Sequence, residues 1–556
     1  MSLVLRNRVI YYGLVAFSVI IIVFFCFKGN RFLIEVNKAV TSQYLADKMQ
    51  VAWVSDEGER GTVRVQEAAD IPDIYYIYLP ANADISNSYL SINERNWYVG
   101  SKLIETKMRI PALNQALILE HKVLGKTLKT IEIRTLLGSK DVVPVFINTI
   151  QGGKYRVEGK ETFSYNIVSD EKKNTDKKKR CIGNLKVGSH EFLVALKGRG
   201  NSSWNEKQKS YNVTIYKNDS NYNIRTREKT SLLLSDVESS EYSLISHSAD
   251  GSLMRNRVGY KMAQKLGFGI KCNYVDLWID GTYQGLYLLT ERNTANTPTS
   301  GYMVEFDDRP DSSVHQLQIK SLYGVDENGG YFSVKKNNNT KDGNFDFIDG
   351  YLSEAWEALL DTNSDRYKEF VDFNAWAHFY LLEEILKNYD CYGNSYFIVD
   401  FSEGDKNKAT ILPAHIWDLD HACGCSYEDI HYITSGWYIT NIEKKNFFLE
   451  ALGRHKDFLD EVEKIRAADT KMYQDMNVEQ FMMQEVKRIM NSANMHETRW
   501  PHGTLTYWST YFGQDVEASD GTSYIRTSCW NDYVTNLCTY FRSRIEWISN
   551  NKINTK

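Results

Sequence analysis

Two short stretches hold the residue types that phosphate chemistry needs. Gly198-Arg199-Gly200-Asn201-Ser202-Ser203-Trp204, with Lys209 shortly after, sets cationic and amide donors on a glycine-containing turn where a phosphate can approach the backbone. Ile416-Trp417-Asp418-Leu419-Asp420 sets two carboxylates two positions apart, a pair that a hard divalent cation can bridge. Read as the end of a strand, that spacing puts both carboxylates on one face, and burying them together without a cation would be costly. The two stretches point to nucleotide chemistry.

Three more motifs stand between them: Ser252-Leu253-Met254-Arg255-Asn256, Asp280-Gly281-Thr282-Tyr283-Gln284-Gly285-Leu286-Tyr287 with Glu291, and Asn388-Tyr389-Asp390. In this order, over roughly residues 142–550, the five motifs resemble the CotH kinase family, an atypical protein-kinase-like fold named for a spore coat protein. The resemblance implies an α+β fold of two lobes. It also implies ATP with Mg²⁺ or Mn²⁺, and transfer of the γ-phosphoryl group to Ser/Thr-type hydroxyls of coat or surface proteins. A surface or coat interaction protein on the same scaffold is the alternative, and metal-dependent hydrolysis with water as nucleophile is a third reading.

Phosphoryl transfer needs a cation near the phosphates, metal ligands, and a carboxylate that orients or deprotonates the acceptor hydroxyl. Lys209, or Lys207 in its place, is positioned for the next strand, where kinases keep a phosphate-binding lysine. Arg199, Gly200 and Asn201 bring donors to phosphate oxygens. Trp204 can stack on a base or fill the core. Asp390 is similar to the family's catalytic loop residue, and Asn394 takes the place of a metal-binding asparagine. The spacing departs from ordinary protein kinases, with three residues between Asp390 and Asn394 rather than four, and no His-Arg precedes the aspartate. Asp418 and Asp420 are the metal ligands. Glu291 is either a hinge residue near the nucleotide or a partner for Arg255.

The elements that must position these groups are legible in part. Ser252 after Asp250-Gly251 is placed as an N-cap, Met254, Val258, Met262 and Leu266 recur every four residues, and Gly267 stops the helix. Tyr274 to Ile279 and Thr282 to Leu289 are β-rich runs around Asp280-Gly281, a hairpin signature. Asp372 caps a helix carrying Phe373, Trp376, Ala377, Tyr380 and Leu381, whose end delivers Asp390. Tyr396 to Phe401 and Ala409 to Trp417 read as strands leading to Asp418. A further β-rich stretch starts at Val142 to Ile147. Residues 171–180 and Lys335 to Asn344 read as solvated polar insertions.

A chain of 556 residues exceeds one core, so the expected division is a membrane anchor at 1–30, a juxtamembrane linker and small β-rich domain at 31–140, and the kinase-like domain at 141–550. The apolar run 9–27 is close to the length that crosses a bilayer core, and no small-residue cleavage site follows it. An uncleaved single-pass anchor with the body outside the cytoplasm is the expectation. Residues 31–60 read as a juxtamembrane helix and linker, and the alternation in Ile74-Tyr75-Tyr76-Ile77-Tyr78-Leu79 as strand. With 66 basic against 71 acidic residues the net charge is only −5, which supports no bulk affinity for nucleic acid. The 8 cysteines, one of them in the span, leave an odd number in the body, against a disulfide scaffold. Cys423 and Cys425, near His415 and His421, have a spacing unlike a zinc ribbon or finger, and packing thiols are the expectation.

Overall fold

The computed structural model describes residues 48–553 apart from 151–155, 159, 162–179, 201, 218–222, 234–235, 308–309, 322–327, 339–344, 389–395, 402–404, 426–432, 440–446, 502–515, 518–522 and 525–528. The apolar run 9–27 and the charge run 171–179 therefore lie outside the described residues. Among the described residues no helix is long and apolar enough to cross a membrane. The fold is mixed α+β, with several sheets and helices, and the chain divides into two compact units after Leu137.

The N-terminal unit holds a nine-stranded sheet. Met49–Val54 alternates buried and exposed side chains, the period of a strand with one face on a core, and pairs with Arg60–Glu67. Of the juxtamembrane helix and linker expected over 31–60, residues 31–47 lie outside the described residues, and the later part is strand rather than linker. Ile74–Leu79 is a strand as its alternation predicts, and runs parallel to Lys126–Leu137.

The C-terminal unit begins with a closed barrel. Around it run Val143–Thr149, Arg180–Val187, His190–Arg199, Ser210–Tyr216, Glu241–Ile245, Thr282–Glu291 and Cys272–Ile279, which returns parallel to the first. The hairpin turn falls at Asp280-Gly281, with φ of 50° and 77°, the left-handed pair that a two-residue turn between twisted strands requires. The Asp280 carboxylate accepts from the Thr149 amide and hydroxyl, both at 2.7 Å, and so ties the hairpin to the strand that closes the barrel. Val145, Val194, Leu196, Trp204, Val213, Leu277 and Leu289 fill the interior.

From the barrel a link with a 3₁₀ turn at Asn293–Asn296 leads to a five-stranded sheet. Its order is His315–Lys320, Asn328–Asn337, Gly301–Asp307, Tyr396–Phe401, Ala409–Pro413. Lys335 is thus in a strand rather than in the polar insertion expected there. Helices Asp346–Leu360, Phe373–Leu386, Lys456–Met476, Val478–Arg499 and Trp530–Asn550 pack around a large core that includes Trp376, Phe397, Phe448, Phe458, Ile489 and Phe541. Asp372 caps Phe373–Leu386 by accepting from the Ala375 amide at 2.9 Å.

The long helix Val478–Arg499 is fastened to the barrel. His496 Nδ1 accepts from the Leu286 amide, and the Trp500 indole donates to the Gln284 carbonyl. Gly285, at φ +116°, permits this approach, since a Cβ there would stand 2.8 Å from Gln208 and 3.0 Å from His496. Nearby, Asp276 accepts from Ser492 Oγ at 2.6 Å and from the Tyr283 hydroxyl at 2.8 Å. Burial pushes its carboxyl up to about 7, against the two hydrogen bonds that favour ionisation. Between the ordinary carboxylate range and pH 7 the folded protein keeps a proton that the unfolded chain has lost, so stability falls as pH rises through that window and levels off above it. The full change is about 4 kcal/mol. Asp276→Asn should flatten the slope, read as melting temperature between pH 4 and 8 in wild type and variant.

Candidate functional site

Ser252-Leu253-Met254-Arg255-Asn256 and the acidic loop are built into one another. The helix Arg255–Gln264 starts at Arg255, and its end is stopped by Gly267 at φ +85°. Its first turn is capped by Asp250 rather than by Ser252. Asp250 Oδ2 accepts from the Arg255 amide at 2.8 Å, and Oδ1 accepts from the Ser252 amide and hydroxyl and pairs with the Arg255 guanidinium. Both partners are fully buried, so each satisfies a charge that neither could carry alone. The attraction of Arg255 holds the Asp250 carboxyl below the usual range in spite of burial.

Arg255 then reaches the acidic loop, with Nε donating to the Ala422 carbonyl at 3.1 Å. Asn256 goes further. Its Oδ1 accepts from the Leu419 amide at 2.9 Å, and its Nδ2 donates to Asp420 Oδ1. On the same helix Gly259 leaves room for Leu419, whose Cδ1 would stand 2.1 Å from a Cβ at that position. Leu419 is fully buried, so a shift of its side chain must disturb the packing around it. Gly259→Ala should therefore cost about 1–3 kcal/mol of stability, measured by denaturant unfolding, and should weaken whatever the acidic loop binds.

The strand expected to run to Trp417 ends at Pro413. Beyond it the backbone leaves the sheet, because the Ile416 amide donates to the Phe268 carbonyl and the Leu419 amide to Asn256. Asp418 is left-handed at φ +60°, so the two aspartates are not on one face of an extended strand. They remain electrostatic neighbours by another route. The Asp420 carboxyl is buried, and burial, then the Asp418 charge, then Asp250, push it well above the usual range, while Arg199 and Asn256 act against them. Leu253, Lys387, Asp418 and Cys423, all near this loop in the fold or on segments bonded to it, are non-glycine residues at positive φ. Each such conformation costs on the order of 1 kcal/mol or more and persists because the surrounding bonds over-determine it.

Arg199, at the end of its barrel strand, does face the acidic loop: its guanidinium lies 4.8 Å from the Trp417 ring centroid. Tyr260 stacks on Trp417 at 6.4 Å, and its buried hydroxyl has no hydrogen-bond partner among the described residues. Burial, with Asp418 and Asp420 next, pushes that hydroxyl far up. Gly200, at φ +91°, makes the turn after Arg199, where a Cβ would collide with Ser203 Oγ. Asn201 lies outside the described residues.

Of its two alternatives Trp204 takes the core, and Lys209 is turned back on its own turn. Trp204 is in the barrel core, edge-on to Tyr211 at 6.2 Å, and so does not offer a face to a base. Lys209 precedes its strand instead of lying on it. Its ammonium donates to the Trp204 carbonyl at 2.5 Å and stands over the Trp204 ring, which stabilises the turn. Glu291 ends the strand Thr282–Glu291 where the link leaves the barrel, accepting from the Lys271 amide at 2.8 Å and standing 4.0 Å from His415 Nδ1. Arg255 has Asp250 as its partner, so of the two expectations for Glu291 only the position at the link remains.

Asp390 and Asn394 lie outside the described residues. The chain enters that segment from Lys387, left-handed at φ 44°, whose ammonium donates to the carbonyls of Ile433 and Ser435, and leaves it at Tyr396. Among the described residues no group of three His, Cys, Asp or Glu side chains is arranged to hold a metal. Cys423 and Cys425 are buried, burial raises both thiols, and Cys425 Sγ contacts the Ala249 carbonyl, as packing thiols would. The acidic pair fits a cation of a different kind. Two carboxylates that are electrostatic neighbours of each other and of Tyr260 are of the kind that Mg²⁺ or Mn²⁺ takes, with the shell completed by phosphate oxygens and water.

Asp418 and Asp420 thus lie within electrostatic reach of Arg199, which ends a barrel strand, and Asp420 is clamped by Asn256. The CotH kinase protein family matches residues 196–548, more than half of the chain, and the chain belongs to that family. No curated protein matches it.

Sequence reasoning missed Asp250, Asn256, Gly259 and Tyr260 as parts of the site, although Arg255 and Asn256 stood in a quoted motif. The signal that could have found them was the pairing of a buried-type helix face with an Arg-Asn that no helix interior needs.

Proposed function

We propose that this chain is a membrane-anchored CotH-type kinase that transfers the γ-phosphoryl group of ATP to a Ser/Thr-type hydroxyl of a coat or surface protein. The observation that carries the reading is the acidic pair Asp418 and Asp420, clamped by Asn256 and faced by Arg199. Arg199 would bind phosphate oxygens, with Lys209 supporting the turn behind it and Glu291 lying near the base at the link. Asp418 and Asp420, with Asn394, would hold Mg²⁺ or Mn²⁺. That cation, when bound, neutralises charge on the phosphates. Asp390 would accept the proton of the acceptor hydroxyl as the new oxygen–phosphorus bond forms in line with the one to ADP that breaks.

The anchor at 9–27, the body outside the cytoplasm and the protein acceptor belong to the same proposal, and rest on the sequence and on the family. Incubating the full chain in detergent with γ-labelled ATP, with Mg²⁺ or Mn²⁺ and with EDTA, tests the chemistry. Label on protein that depends on the cation is expected. Release of free phosphate without protein label would favour hydrolysis instead.

A further inference from the structure

The five-stranded sheet carries an ion pair that the phosphate chemistry leaves unused. Strands Gly301–Asp307 and Asn328–Asn337 pair with a bulge: Met303 faces Lys336 and Val304 faces Val334, so Lys335 is the extra residue. Its ammonium pairs with Glu305. Glu305 is buried, and stands directly across the strand pair from Tyr396, whose hydroxyl is hydrogen-bonded to it. An ion pair set into a sheet adds little to stability, because desolvation offsets the attraction, and apolar residues would serve packing better.

Its place in the fold suggests a use. On one side, Lys336 donates to the Thr294 carbonyl at 3.3 Å and Asn338 to the Pro298 carbonyl at 2.7 Å, so this strand end is fastened to the link that begins at Glu291. On the other side, the Ala414 amide donates to the Tyr396 carbonyl at the start of the acidic loop, and Tyr396 lies within electrostatic reach of Asp418 and Arg199. The pair therefore sits between the link and the acidic loop. A nucleotide with its base at the link and its phosphates at Asp418 must carry its sugar across this region.

A carboxylate has about four lone-pair sites, and Lys335 and Tyr396 occupy two. The others suit a vicinal diol, which offers two O–H donors and no charge. Burial raises the Glu305 carboxyl above the usual range, and Lys335 and the Tyr396 hydroxyl act against it. We propose that Glu305, held by Lys335 and Tyr396, is the ribose-recognition residue of the nucleotide site, accepting hydrogen bonds from the 2′- and 3′-hydroxyls. This rests on the kinase reading above.

The test is titration of the full chain with ATP and with 2′,3′-dideoxyATP in Mg²⁺, for wild type and Glu305→Gln. Two hydrogen bonds to a buried carboxyl that is paired with Lys335 predict that wild type binds ATP about 10- to 100-fold more tightly than the dideoxy analogue. Glu305→Gln should reduce that ratio to about twofold or less while binding the dideoxy analogue as wild type does, which also shows that the variant is folded. Equal affinity of wild type for the two nucleotides overturns the assignment, whatever the variant does. Tighter binding of both by Glu305→Gln overturns it too, since the glutamate would then be repelling phosphates. Failure of wild type to bind either nucleotide would overturn the kinase reading itself, and the ribose assignment with it.

Discussion

Asp390→Asn is expected to lower phosphoryl transfer about 100- to 10,000-fold, the range that a positioned general base contributes. ATP affinity should stay within about twofold of wild type. The separation follows from the role: a carboxylate that takes the acceptor's proton acts on a group ATP does not contain, so its loss raises the barrier without weakening ground-state binding. Calorimetric titration with ATP and Mg²⁺, beside transfer of label to protein, measures both. Wild-type turnover in the variant would move the base to another residue. Loss of nucleotide affinity together with turnover would instead make Asp390 part of the nucleotide site.

Asp420→Asn should act on two properties in opposite directions. In EDTA the variant should be more stable than wild type, because a buried carboxyl held unfavourably by its surroundings and by Asp418 is replaced by a neutral group of the same shape. The Asn256 side chain can still donate to the amide oxygen that replaces Asp420 Oδ1. With Mg²⁺, ATP affinity should fall about 100-fold on the proposed reading, since one of the two carboxylates that would hold the cation is gone. Melting temperature without cation and ATP titration with it are the measurements. A variant that is less stable in EDTA yet binds Mg²⁺ and ATP normally would make Asp420 a structural acid of the loop. The contrast matters because a merely damaged fold lowers both.

Much of the architecture around the site was legible in the residues. The hairpin at Asp280-Gly281 and the helix that Asp372 starts form as their patterns predict, because both are decided by a few neighbouring residues. A turn that needs positive φ at two positions, or an orphan amide that needs an acceptor, is a local demand. Asp418, Asp420 and Arg199 also stood out by residue type, and the structure sets Arg199 within electrostatic reach of the aspartates.

Geometry beyond the local was not legible. The strand toward Trp417 reads as continuous, but its backbone donors are taken by Phe268 and Asn256, and the pair is brought together by a left-handed residue rather than by pleating. Ser252 reads as a cap, but Asp250 wins the position because its charge also meets Arg255. Trp204 left stacking and core both open until packing set it in the barrel core, and Lys209 reads as a phosphate ligand but is turned onto the Trp204 ring and carbonyl. Lys335 read as a loop residue until a bulge set it against Glu305. In each of these cases the deciding partner belongs to another element or to a competing neighbour in three dimensions; Asn256 and Asp420 are 164 positions apart. Residue types alone determined which chemistry was available, since carboxylates, guanidinium and glycine carry their properties with them. Tertiary structure decided which of those groups meet, because the free energy of a buried charge or an unpaired amide depends on what stands within a few ångströms of it, and chain order does not specify that.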